Sequence, residues 1–219
     1  GQIGSINRAI VLLGLNAVKN IAIAASLSKM FKGGQLTPTF SAKDLWTHSL
    51  AVGTATKLIA ESMRMGLVDE AFLSGLLHDV GLMVEMQWDR NKLSEVLDKT
   101  SKAPAGTSSV TFEEAIYGAS HQDFGAALSE KWKFPKSFTN VIGHHHNPMA
   151  LPADQRTLPC MVFVADRLAA ELKGGYTADI GDMTIPSEIL DVLNLTEEDL
   201  AAIKAKLPDA IATSEAVLG

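Results

Sequence analysis

The sequence predicts an all-α domain, and three observations lead there. Apolar residues recur at three- and four-residue spacing along most of the 219 residues, the period of one face of an α-helix. No segment alternates apolar and polar residues with the period of two that a half-buried strand needs. Gly and Pro collect between the periodic segments, where they punctuate turns.

Taken in order, Ile6, Ile10, Leu13, Ala17 and Ile21 give an apolar helical stretch over 5–31. It bends near Gly14, because glycine weakens a helix interior by about 1 kcal/mol relative to alanine, and Gly33-Gly34 ends it. Residues 42–65 form an amphipathic helix with His48, Val52, Ala55, Ile59 and Met63 on one stripe. Residues 69–86 are apolar almost all round, which predicts one central buried helix. A helix over 89–100 precedes a polar loop, Ser101 to Val110. Helices follow near 111–117, 121–132 and 136–146, the last with Pro135 at its start. Asn147 to Arg156 is a loop with two prolines, 158–173 is helical, and Gly174 to Pro186 is irregular. Thr196 and Asp199 are spaced to cap a helix over 196–206. The organisation expected is one domain over 1–186 with a helical C-terminal appendage over 187–219.

Apolar residues make up 47% and charged residues 20% of the chain, ordinary values for a globular protein able to bury one substantial core. The net charge is -6 and no run of Lys or Arg occurs, so nucleic acid is not expected as a direct partner. Cys160 is the sole cysteine, which excludes an intrachain disulfide. The opening Gly1-Gln2-Ile3-Gly4 has no signal-peptide character. Every apolar run is broken well before the roughly 20 residues of a membrane helix. A cytoplasmic protein without a membrane partner is the expectation. Starting without methionine and almost at once in an apolar helix, the chain reads as a piece of a larger protein.

The six histidines are His48, His78, His121, His144, His145 and His146. His48 lies on the apolar stripe of its helix. His78-Asp79 sits inside Leu76-Leu77-His78-Asp79-Val80-Gly81, in the most apolar segment of the chain. His121 leads the stripe His121, Phe124, Leu128, Trp132. His145 and His146 continue from Phe138, Val141 and Ile142 at helical spacing, and Asp166 follows Val162 on a largely apolar helix. A buried carboxylate without a partner is very costly, so buried charges are paired or bind metal. Cations are scarce here: Arg167 adjoins Asp166 but points about a quarter-turn away. One inward histidine is more often a hydrogen-bonded packing residue than a ligand. Five with two aspartates form a reasonable ligand set for Fe, Mn, Zn or Ni. His144 shares a face with Ser137 and Asn140 and is expected at the surface.

These residues carry a family pattern. His48, then His78-Asp79, then Asp166 looks like the H…HD…D signature of the HD superfamily of metal-dependent phosphohydrolases, and the closer match is to its HDOD branch. Ser5-Ile6-Asn7-Arg8-Ala9-Ile10 through Gly14-Leu15 resembles that branch's opening stretch. Leu45-Trp46-Thr47-His48-Ser49, Ala71 to Gly81, His121 to Gly125, Trp132-Lys133-Phe134-Pro135, His145-His146-Asn147-Pro148 and Ala165-Asp166 resemble its later motifs. The resemblance covers about residues 1–172. It implies an HD-like helical bundle lacking upstream helices, with site residues on separate core helices. It further implies that His48, His78, Asp79 and Asp166 hold a first metal, and that Asp79 bridges to a second held by His121, His145 and His146. One or two divalent transition metals are expected, Fe or Mn ahead of Zn or Ni.

Many HDOD domains are thought to act as signalling or regulatory modules, and this is the leading expectation, with other signalling proteins or fused domains as partners. The alternative is a metal-dependent phosphohydrolase acting on a phosphate-bearing small molecule such as a phosphomonoester, nucleotide or cyclic dinucleotide. An HD-type oxygenase would be a further variant, and an inert domain whose histidines merely pack is the third reading. The chain departs from the related HD-GYP phosphodiesterases in two ways. Leu82 stands where those enzymes place a lysine, and 147–152 lacks the Gly-Tyr-Pro element. A dianionic substrate needs cationic or backbone donors around its non-reacting oxygens, and Arg156 or a partner's arginine is the remaining source. No residue is assigned a catalytic role.

Overall fold

The computed structural model describes residues 22, 34–37, 40–172 and 175–218. The apolar stretch 5–31 with its bend at Gly14 falls outside them, except that Ala22 is helical. A short antiparallel pair opens the described chain, β1 (Gln35–Thr37) with β2 (Phe40–Ser41). Sequence alternation missed it because neither strand is long enough to show a period.

The rest is helical. Helix α1 (Ala42–Ser62) starts on a reciprocal cap: Asp44 N–H donates to Ser41 Oγ at 3.2 Å, and Ser41 N–H donates to Asp44 Oδ2 at 2.7 Å. Such caps satisfy the orphan donors of a helix N-terminus. α1 packs on α2 (Val68–Leu77) so closely that a Cβ added at Gly75 would lie 2.8 Å from Gly53 Cα and from Val52 O. The single helix expected over 69–86 is instead two, α2 and α3 (Val80–Trp88), with His78 and Asp79 at the break. Leu82 N–H reaches back only three residues, to Asp79 O at 3.0 Å. This tighter turn redirects the chain, so that α2 stays on α1 while α3 packs against α6 (His121–Lys131). Apolarity all round hid the break, because a buried segment has no polar face whose drift would reveal it.

α4 (Arg90–Lys102) and α5 (Val110–Tyr117) pack together, as do α6 and α7 (Lys136–His144). Trp132, expected on the inward stripe of α6, lies past the helix end and is 42% exposed. Two 3₁₀ turns, Pro148–Ala150 and Ala153–Gln155, lead into α8 (Thr157–Ala170). After the irregular segment come α9 (Ser187–Leu193) and α10 (Glu197–Leu218). The Thr196–Asp199 cap forms as expected. The helix does not stop at 206, however, but runs through Pro208. Leu207 is fully buried and Thr54 Oγ1 lies 3.0 Å from Ser214 Oγ, so packing on α1 outweighs the proline penalty. Leu193, Leu200, Ile203 and Leu207 share one apolar cluster with α1 and α8. Among the described residues no helix is long and apolar enough to cross a membrane.

Candidate metal centre

Five segments deliver the site. His48 comes from mid-α1, His78 and Asp79 from the α2–α3 break, His121 from the first position of α6, His145 and His146 from just past α7, and Asp166 from α8. A close approach makes the assembly possible. A Cβ on Gly81 would sit 1.8 Å from His121 O, so only glycine lets the start of α6 reach the residues beside Asp79.

All seven residues singled out by sequence come together. His48 Nε2 is 2.9 Å from Asp166 Oδ1, and His78 Nε2 is 3.2 Å from Asp79 Oδ2 and 3.8 Å from Asp166 Oδ1. The other oxygen of Asp79 faces the remaining imidazoles, with Oδ1 3.3 Å from His145 Nε2 and 3.6 Å from His121 Nε2. His121 Nε2 is also 3.3 Å from His145 Nε2 and 3.2 Å from His146 Nε2. His48, His78, Asp79, His121, His145 and Asp166 are buried, while the His146 side chain is 15% exposed. His144 is half-buried rather than at the surface, because its neighbours on that face are engaged: Asn140 donates to Gln155 and Ser137 to Glu70.

His121 Nε2 lies within hydrogen-bond distance of the Nε2 atoms of His145 and His146, but among the described residues the rest of the cluster is not so paired. Both oxygens of Asp79 and Asp166, both ring nitrogens of His48 and Nε2 of His78 are buried without a hydrogen-bond partner. Each such group costs about 1–3 kcal/mol if left so. The tautomers agree with a shared target. His78 Nδ1–H donates to Gly75 O at 2.7 Å, and His145 Nδ1–H donates to the carbonyls of Val141 and Ile142 at 3.2 and 3.1 Å. His121 Nδ1–H donates to Glu113 Oε2 at 2.7 Å. In the neutral rings each Nε2 therefore presents a lone pair to the shared space, and when His121 is protonated its Nε2–H faces the His145 Nε2 lone pair at 3.3 Å. Metal-binding histidines are oriented in this way by a carbonyl or carboxylate on the far nitrogen. Two ligand groups result that could each hold a metal ion: His48, His78 and Asp79, and His121, His145, His146 and Asp179.

Protonation reports the same crowding. Burial pulls His78 toward its neutral form, but Asp79 and Asp166 outweigh it and the pKa rises to about 9. Burial likewise opposes the charge on His121, and Glu113 with Asp79 lifts it to about 10. Burial disfavours the Asp79 carboxylate, yet His78, His145 and His121 hold it well below the usual range. His145 and His146 are both lowered, by burial and then by the other imidazoles. Among the described residues the ion pairs of Asp79 and Asp166 are all with imidazoles. Arg167 indeed turns away, donating to Phe163 O and Thr184 O with its guanidinium carbon 3.3 Å from the Phe163 ring centroid.

Sequence reasoning missed three acids. Glu113 receives both the backbone N–H and the ring Nδ1–H of His121. Its signal was available: of the pair Glu113-Glu114, Glu113 falls at helical spacing between Val110 and Tyr117. Glu85 is fully buried with both oxygens unpaired. Asp179 sits in the irregular segment after α8, where no period exists to be read.

The sequence pattern of the HDOD domain family matches residues 1–148. A protein of Treponema pallidum (strain Nichols) is 25% identical over 207 residues, covering 88% of this chain, which spans only 36% of that relative's length. The crystal structure of an HDOD domain protein of unknown function from Geobacter sulfurreducens superposes with a TM-score of 0.78 at 26% identity, over 100% of this chain and 75% of that one. For a candidate signal transduction protein from Marinobacter aquaeolei VT8 the values are 0.80, 22%, 100% and 48%. A candidate phosphohydrolase from Shewanella amazonensis SB2B gives 0.74, 20%, 100% and 78%. The last two likenesses show the fold alone.

Proposed function

This chain belongs to the HDOD domain family, and from that premise we propose that it is a signalling or regulatory module built around a His/Asp metal centre whose ions are structural or sensory. His48, His78, Asp79 and Asp166 would hold one divalent transition metal and His121, His145 and His146 a second, with Asp79 placed to serve both. Fe or Mn suits this mixed imidazole and carboxylate set, with Zn or Ni as alternatives. Fused domains or separate signalling proteins are the partners. The Treponema relative, nearly three times as long as the matched region, is compatible with a fused setting.

Leu82 carries the reading. It lies one turn past Asp79, is 0% exposed and is apolar, at the position where the HD-GYP enzymes the sequence resembles place a lysine. Arg156 Nε donates to Leu151 O, and Arg167 is held by Phe163 and Thr184; neither makes an ion pair with the cluster's carboxylates among the described residues. Losing one preorganised donor typically slows catalysis roughly 100- to 1,000-fold. The complete ligand set favours the second reading, a phosphohydrolase, because two metals bridged by a carboxylate can generate hydroxide and clamp a phosphate. The discriminating experiment is turnover by the Mn- or Fe-loaded protein on phosphomonoesters, nucleotides and cyclic dinucleotides, with Asp79→Ala as control. Little or no turnover is expected. Robust turnover that disappears in the control would make the hydrolase the leading assignment.

A further inference from the structure

We infer that Asp179 is a fourth side-chain ligand of the second ion, beside His121, His145 and His146, and that the segment Gly175–Asp182 straps that ion against outside anions. This rests on the metal-centre reading above and extends it to a part of the chain beyond residues 1–148, where the family match ends.

Asp179 is 2% exposed although it lies in a stretch without regular structure. Its Oδ2 is 3.3 Å from His146 Nε2, yet neither carboxylate oxygen has a hydrogen-bond partner. A ligand oxygen of Asp179 and a ring nitrogen of each of His121, His145 and His146 all lie within 4.8 Å of one another. The carboxylate thus shares one small space with three imidazole nitrogens. A buried acid left there without a cation is strongly destabilising.

The backbone holds it in place. Ser109 N–H donates to Ala178 O at 2.8 Å and Ser108 Oγ–H donates to Asp179 O at 2.6 Å. Tyr176 Oη lies 3.0 Å from Ser109 Oγ, which donates to Glu113 Oε1 at 2.8 Å. Glu113 in turn orients His121. One hydrogen-bonded chain therefore fixes both a histidine of the group and the strap bearing the acid.

The coordination consequence is direct. Catalytic metal sites keep an open position, whereas three imidazoles, the bridging Asp79 and Asp179 fill most of the sphere of the second ion. Asp179 would therefore compete with a phosphate oxygen for that ion.

The test uses the full chain as wild type, Asp179→Ala, Asp179→Glu and His146→Ala, each checked for folding by circular dichroism. Mn(II) per chain is measured after dialysis, Mn(II) affinity by titration, and inorganic phosphate binding by calorimetry at saturating Mn(II). Wild type is expected to retain two ions. Asp179→Ala should bind the second at least about tenfold more weakly, since even outer partners of ligands cost 10- to 100-fold. Asp179→Glu should recover part of that loss, and phosphate should bind Mn-saturated Asp179→Ala more tightly than wild type. Hydrogen exchange of residues 176–182 should slow with Mn(II) in wild type but not in Asp179→Ala. Unchanged affinity in Asp179→Ala, alongside loss in His146→Ala, overturns the inference and leaves the metal centre standing. A wild type that retains no metal overturns both.

Discussion

At the scale of single residues, Asp79 is set apart because its two oxygens serve different neighbours, Oδ2 toward His78 and Oδ1 toward His145 and His121. Asp79→Ala should therefore lose more metal than removal of any one histidine, since two cations would then face each other without their shared anion. His144→Ala should lose almost none, because none of the short contacts of the cluster involves it. Elemental analysis after dialysis measures both, and equal losses would contradict the geometry. Glu85 supplies a second expectation. Burial, reinforced by the charge on Glu113, pushes its pKa from 4.5 up to about 9. The folded chain thus keeps a proton that the unfolded chain releases, and stability falls as pH rises through that window. Glu85→Gln should be more stable than the parent at pH 8 in urea melts, with the advantage shrinking toward pH 4.5. A constant difference across pH would show that Glu85 does not titrate on unfolding. Histidines and aspartates on helices were legible in the sequence because an apolar stripe reveals its polar intruders. Asp179 was not, because an irregular segment has no stripe.

At the scale of elements, the placement of α6 depends on Gly81. A methyl group there would collide with the His121 carbonyl rather than with a flexible side-chain end. Gly81→Ala must push α6 away from α3 and carry His121 out of its group. The expected result is a loss of stability of about 1–3 kcal/mol, the usual range for overpacking, together with weakened second-ion binding. A stable Gly81→Ala protein with undiminished metal content would refute the close approach. Caps and loop boundaries were readable from Thr196–Asp199 and the Gly- and Pro-containing segments, since these encode local geometry. The division of residues 69–86 into α2 and α3 was not, and neither was the persistence of α10 past Pro208. Both are decided by what the helices pack against, α6 in one case and α1 in the other.

At the scale of the molecule, the candidate metal centre draws on α1, α2, α3, α6, α7 and α8. Ions bound there would stabilise the native state by mass action, by about 2.7 kcal/mol at a concentration 100 times the Kd. Stripping them with a chelator should lower the Tm by about 5–10 °C for a chain of this length. Binding also displaces protons. The metal-free cluster carries protonated His78 and His121 at neutral pH, their pKa values raised to about 9 and about 10. Adding Mn(II) at pH 7 should release at least about two protons per chain, visible in a weakly buffered titration, and affinity should fall as the pH is lowered. Metal uptake without proton release would mean that these imidazoles are already neutral.

The break at His78–Asp79 has a mechanical side. Helix α3 begins at Val80, next to the carboxylate shared by both ligand groups, and ends at Trp88, whose side chain is 61% exposed. Its nine residues make an arm about 13 Å long. A pivot of about 10° at its base would sweep the indole through about 2 Å, a displacement set by the length of that rigid arm. A ligation event beside Asp79 that tilted this arm would therefore be reported by the indole against the Tyr117 and Phe124 rings, whose centroids lie 5.7 and 5.5 Å from its own.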